Sequence, residues 1–132
     1  MKSPPLKWLL AAWIQGAFYV LTGLWPLLHI ASFQWVTGPK ADLWLVRTVA
    51  LLVTVTGLLL LRAARRRLIS QELVLIAIGQ ALALTAIDLL YVWAGRISPI
   101  YLMDAAGELV LVGLWLASGV LKATAPEADP AR

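Results

Sequence analysis

The sequence predicts an all-α, polytopic membrane protein: one domain, 1–132, built as a four-transmembrane-helix bundle with both termini in the cytoplasm (N-in/C-in). Three observations predict it. The 132 residues are 61% hydrophobic and only 14% charged, where a soluble domain is nearer half apolar and a quarter charged. The apolar residues collect into four runs, 8–30, 43–61, 73–93 and 100–121, each about the length that crosses ~30 Å of hydrocarbon as a helix. None alternates with the two-residue period of a barrel strand. Third, Arg62, Arg65, Arg66 and Arg67 crowd one short connection, and basic connections face the cytoplasm. Lys2, Lys7, Lys122 and Arg132 then lie on the same side, against Lys40 and Arg96 outside. The expected location is the inner (plasma) membrane.

The four helices are expected at about 8–30, 43–61, 71–93 and 99–121. In the first, Lys2 and Lys7 precede the apolar run as they would in a signal peptide. The run is too long for one and lacks a small-residue cleavage site, so it reads as an uncleaved helix. Gln15, Tyr19, Thr22, Pro26 and His29 recur at steps of three and four and share one face. Pro26 removes a backbone donor and predicts a kink or an early end. The connection at 31–41 carries Phe33, Trp35 and Val36. So apolar a loop predicts a segment lying on the membrane surface or folded over the bundle.

Asp42 is placed to cap the second helix. Arg47 sits inside that helix, on a face with Ala50, Thr54 and Gly57. Thr22-Gly23-Leu24-Trp25-Pro26-Leu27-Leu28-His29, Ser32-Phe33, Val36-Thr37-Gly38-Pro39-Lys40 and Asp42-Leu43-Trp44-Leu45-Val46 together resemble a family of small bacterial four-helix inner-membrane proteins. The match covers residues 19–54, and the general layout is similar to that of DoxX-type proteins. The resemblance implies a bacterial source and an ordered first loop, and it implies no activity.

The third helix begins near Ser70 or Gln71. Ala77, Ala81, Thr85 and Asp88 form a small-residue stripe along it, which points that face into the bundle. Tyr91 and Trp93 close it. Ser98-Pro99 predicts the start of the fourth, with serine as cap and proline at the first helical position. Asp104 and Glu108 share its inward face with Tyr101 and Trp115. The tail, 123–132, with Pro126 and Pro130, is expected to be disordered.

Three acids and an arginine in apolar runs are the first place to look for function. An isolated charge at the bilayer centre costs ~2.5–3.5 kcal/mol. The predicted topology places them all in the outer leaflet. A polar cavity open to the outer side is therefore expected, lined by Gln15, Tyr19, Thr22, His29, Arg47, Asp88, Tyr91, Tyr101, Asp104 and Glu108. Arg47 is expected to pair with one or two of the acids. Three carboxylates against one guanidinium cannot all be ionised in a dry site, so a proton or a bound cation is expected there.

Several chemistries are excluded. With no cysteine there is no thiolate metal site and no disulfide relay. One histidine, His29, cannot supply both axial ligands of a haem. No metal-ligand spacing, phosphate loop or nucleophile elbow is present, so no cofactor is expected. The net charge of +4 reads as topology and lipid contact, not nucleic acid. The leading expectation is a non-enzymatic protein that binds a small cationic, amphipathic or lipid-like ligand through Asp88 and Glu108. An accessory subunit whose polar network only holds the bundle is the second, and a carboxylate-based proton-coupled transporter or enzyme the third. The partners expected are the bilayer, such a ligand, and a second copy or a partner membrane subunit.

Overall fold

The computed structural model describes residues 3–123, and every regular element among them is helical. The elements are α1 (Leu6–Leu28), α2 (Ile30–Thr37), α3 (Leu43–Arg66), α4 (Gln71–Trp93), α5 (Tyr101–Ala117) and α6 (Val120–Ala123). Three of them, α1, α3 and α4, are long and apolar enough to cross a membrane. They mark the chain as a membrane protein.

The fourth predicted segment is divided. Pro99 and Ile100 lie in a tight turn, where Tyr101, Leu102 and Met103 donate their backbone N–H to the carbonyls three residues back. The Ser98 hydroxyl accepts from Ile100 N at 3.4 Å instead of capping a helix. The regular helix therefore starts at Tyr101 and not at Pro99. It stops at Ala117, Gly119 takes a left-handed φ of 74°, and α6 adds one further turn. Ala123 is helical, and the rest of the predicted tail lies outside the described residues.

The other boundaries follow from local chemistry. Pro26 is inside α1, which runs only two residues beyond it. The predicted apolar loop is largely helix α2. The His29 ring nitrogen Nδ1 caps it by accepting Ser32 N at 3.1 Å. Trp25 and Phe33 meet edge to face across the α1–α2 corner, with ring centres 5.5 Å apart. The second predicted span is longer than expected. Arginine and alanine are strong helix formers, and α3 carries the arginine run to Arg66. Arg67 then turns into the left-handed region, and its N–H and that of Leu68 satisfy the carbonyls of Ala64 and Ala63. Asp42 does precede α3, but its side chain makes no cap bond. Ser70 caps α4 by accepting Leu73 N at 3.2 Å.

Helix α1 is the hub of the packing. Against α3 it runs antiparallel at backbone contact: a Cβ placed on Gly57 would lie 2.8 Å from Val20 N and 2.9 Å from Gly16 O. Such glycine-mediated approach is the usual way helices associate in lipid. On its other side α1 meets α5 and α4. Trp8 Nε1 donates to Ser118 O, Trp115 Nε1 to Gln15 Oε1, and Gln15 Nε2 to Ala77 O. Helices α4 and α5 pair closely through their short connection, and α3 touches α4 where Thr56 donates to Gln80 Oε1 at 2.8 Å. The apolar core, Ala11, Ala12, Leu60, Ala64, Val74, Ala77, Trp115 and Val120, gathers at the arginine-bearing end. Large aliphatic side chains such as Leu51, Leu52, Leu75, Ile76, Leu109 and Val110 point outward, as a lipid-facing surface requires.

A candidate site: a dry acidic layer between three helices

Above the apolar core the interior becomes polar. Gln15 and Tyr19 of α1 and Glu108 of α5 are fully buried, and Thr85 and Asp88 of α4 are buried beside them. They arrive there by helical spacing. Gln15 and Tyr19 are one turn apart. Asp88 ends the stripe Ala77, Ala81, Thr85, whose small side chains let α4 come close. Asp104 and Glu108 are one turn apart on α5, in line with Leu111 and Trp115.

The Tyr19 hydroxyl donates to Glu108 Oε2 at 2.8 Å, with both side chains 1% exposed or less. Gln15 lies against the Tyr19 hydroxyl, and its amide is engaged at both ends, accepting from Trp115 Nε1 at 2.7 Å and donating to Ala77 O at 2.9 Å. One continuous chain of polar groups therefore runs from Ala77 through Gln15 and Tyr19 to Glu108. Asp88 and Asp104 stand beside it, their carboxyls facing one another within hydrogen-bonding reach. Asp88 is 5% exposed, and its Oδ2 receives no hydrogen bond from any described residue. A buried carboxylate oxygen left without a donor costs ~1–3 kcal/mol or more, so this atom is the least satisfied in the described protein.

At the end of the layer nearest α2, Tyr101 of α5 is half-buried. The Thr37 side chain lies against its hydroxyl, and Asp88 and Asp104 are close enough to act on it. Lys40 Nζ sits 5.2 Å from the centre of the Tyr101 ring, held by the carbonyls of Thr37 and Gly38 at 3.0 Å each. Partial burial holds the Lys40 ammonium below the ordinary lysine range. The α2–α3 connection thus folds over the end of the acidic layer and places a cation there.

The structure brings Gln15, Tyr19, Asp88, Tyr101, Asp104 and Glu108 together. It does not bring Arg47, His29 or Tyr91 to them. Arg47 is on the exposed face of α3 and is no neighbour of the three acids. The expected ion pair is therefore absent among the described residues. The reason lies in the packing: the Gly57, Thr54 and Ala50 face of α3 is buried against α1, and Arg47 projects away from it. His29 is exposed and occupied as the cap of α2, and Tyr91 is exposed. Thr22 spends its hydroxyl on Phe18 O of its own helix. The structure adds Lys40, Thr37 and the bond from Trp115 to Gln15. The Trp115 signal was present, since it falls on the Asp104–Glu108 face two turns on from Glu108. Nothing in the spacing of Thr37 or Lys40 pointed to Tyr101.

Among the described residues, no group of three His, Asp or Glu side chains is arranged to hold a metal ion. No family model, no curated protein and no solved structure matches this chain.

Proposed function

We propose that the protein is a small four-span membrane protein, N-in/C-in in a bacterial inner membrane, that binds a cationic ligand through Asp88, Asp104 and Glu108 from the outer side. On this reading α5 and α6 form the fourth crossing. Seventeen residues at ~1.5 Å each give α5 about 26 Å, and the α6 turn extends it. The arginines at the end of α3 support placing that end on the inner side. The acidic layer then lies toward the outer side, behind Tyr101 and Lys40. The likeness of residues 19–54 to small bacterial four-helix proteins belongs to the same proposal.

The observation that carries the reading is the carboxyl group of Asp88. It is buried, faces a second carboxyl, and lacks a donor on Oδ2. Among the described residues no basic side chain pairs with it, and Lys40 at the end of the layer is held by the carbonyls of Thr37 and Gly38. Two carboxyls face to face are held together by one shared proton or by a cation, so the site is built to take up positive charge from outside the chain. An amphipathic cation suits buried carboxyls set within an apolar helix bundle.

The test is equilibrium binding of tetraphenylphosphonium to the purified protein in micelles. The Asp88→Asn and Asp104→Asn variants should each weaken binding about ten- to hundredfold, the worth of one charge-assisted contact. No binding by the wild type, or unchanged affinity in both variants, refutes the reading. A second reading has its own support in the fully engaged Gln15 amide: the polar layer serves only to hold α1, α4 and α5 in register for a partner subunit. It predicts stability losses in the same variants with no cation bound at all.

A further inference from the structure

A second charged feature lies at the opposite end of the bundle. Arg62, Arg65, Arg66 and Leu61 of α3, with Trp13 of α1, line an open cleft of about 590 Å³. We propose that this cleft is a binding site for the phosphate-bearing headgroup of an anionic phospholipid.

Residues 62, 65 and 66 are three and four apart, so their guanidinium groups share one face of the last turn of α3. All three are exposed, and among the described residues none is ion-paired. Like charges so placed repel one another, and the negative end of the helix dipole offsets only part of that repulsion. Helix α3 nevertheless continues through them to Arg66. An anion that bridges the guanidinium groups would relieve the repulsion, and the planar fork of arginine matches a phosphate oxygen pair.

Trp13 identifies which phosphate. It is 44% exposed, two turns inside α1 and level with Leu61. An amphipathic ring at that depth marks the boundary between headgroups and acyl chains. The cleft therefore has a polar upper rim of three arginines and an apolar lower wall of Trp13 and Leu61. A diacyl phosphate with its headgroup against the arginines and its glycerol against the indole fills both halves. A free phosphate ion fills only one. The assignment rests on the membrane-spanning character of α1 and α3 and is independent of the acidic layer.

The experiment is titration of the full chain in micelles with dioctanoyl phosphatidylglycerol, dioctanoyl phosphatidylcholine and inorganic phosphate, read by native mass spectrometry. Phosphatidylglycerol should bind saturably, with phosphatidylcholine weaker by about tenfold or more. The triple variant R62Q/R65Q/R66Q should weaken phosphatidylglycerol binding about a hundredfold, near fivefold per arginine. A charge-matched control, K7Q/R67Q/K122Q, removes three cations outside the cleft and should cost less than about threefold. Equal losses in the triple variant and the control overturn the proposal, because attraction would then be diffuse. Equal affinity for the two lipids overturns it as well. Inorganic phosphate binding as tightly as phosphatidylglycerol would make the site one for a soluble anion and overturn the lipid assignment. Helical content by circular dichroism checks folding. If the triple variant loses it, R65Q and W13A alone decide, each expected to weaken the lipid by about fivefold while leaving helicity intact; no change in either overturns the site.

Discussion

Consider the replacement of Gln15 by leucine, alone and with Trp115→Phe. Gln15 is the junction of three helices: its Oε1 accepts the Trp115 indole N–H at 2.7 Å and its Nε2 donates to Ala77 O at 2.9 Å. Neither side chain reaches solvent. Leucine keeps the volume and removes both bonds. Ala77 O still has its own helical donor, so the loss there is one net bond of ~1 kcal/mol. Trp115 is worse off, because its N–H is stranded inside the buried apolar core, at a cost of ~1–3 kcal/mol. The single variant should be destabilised by about 2–4 kcal/mol. Trp115→Phe strands Gln15 Oε1 and leaves a gap. The double variant strands nothing, so it should recover part of the sum. Pairwise couplings inside membrane bundles average ~0.6 kcal/mol and reach ~1.7. A pair this short and this dry belongs at the upper end, at about 1.5 kcal/mol. Reversible unfolding in mixed micelles, followed by far-ultraviolet circular dichroism, measures all four corners of the cycle. A coupling below about 0.5 kcal/mol would refute the assignment of Gln15 as the tie between α1 and α5.

Two further outcomes follow from packing. Gly57→Ala puts a Cβ 2.8–2.9 Å from Val20 N, Gly16 O and Tyr19 Cβ, so α1 must shift and stability should drop by about 1–3 kcal/mol. Gly107→Ala is its control: the nearest atom is Phe18 Cζ at 3.5 Å, an ordinary contact, and unfolding of this variant should match the wild type within about 0.5 kcal/mol or exceed it. Arg47→Ala, which removes a side chain exposed on α3, should change stability by less than about 0.5 kcal/mol in the same unfolding assay.

Much of this arrangement was legible because helical periodicity is. Gln15 and Tyr19, the stripe ending in Asp88, and the Asp104–Glu108–Trp115 face each follow from steps of three and four, and each lands in the interior. What periodicity does not report is rotation of one helix against another. Arg47 is near Ala50 and Thr54 in sequence, and one rotation of α3 would have turned it inward. The glycine contact at Gly57 sets a different rotation, because backbone approach to α1 is possible only on that side. The helical boundaries went astray where ordinary signals competed. Arg62–Arg66 read as a loop by charge and as a helix by propensity, and propensity prevailed. Ser98-Pro99 has the composition of a helix start, yet the serine hydroxyl bonds Ile100 N and a tight turn precedes the helix. The approach of Thr37 and Lys40 to Tyr101 depends on the course of α2, a tertiary matter with no periodic signature.

The absence of Arg47 from the acidic layer bears on what the layer can do. A guanidinium against Asp88 or Glu108 would hold that carboxylate ionised and already neutralised, and a cationic ligand would find no unspent charge. A buried ion pair of that kind also contributes little net stability over an apolar pair of the same volume. The partner found at Glu108 is instead Tyr19, a neutral donor that satisfies one oxygen and brings no opposite charge. This gives a way to separate a binding role from a purely structural one. Glu108→Gln preserves the shape and lets the Tyr19 hydroxyl donate to an amide oxygen, so a structural layer should keep its stability within about 0.5 kcal/mol. Glu108→Leu removes the acceptor, strands the tyrosine hydroxyl, and should cost about 1–3 kcal/mol. If the layer binds cations, Glu108→Gln should lose tetraphenylphosphonium affinity about tenfold or more while its unfolding curve stays in place. Should affinity persist in Glu108→Gln and fall only in Glu108→Leu, Glu108 acts as a hydrogen-bond acceptor, and the anionic work falls to Asp88 and Asp104 alone.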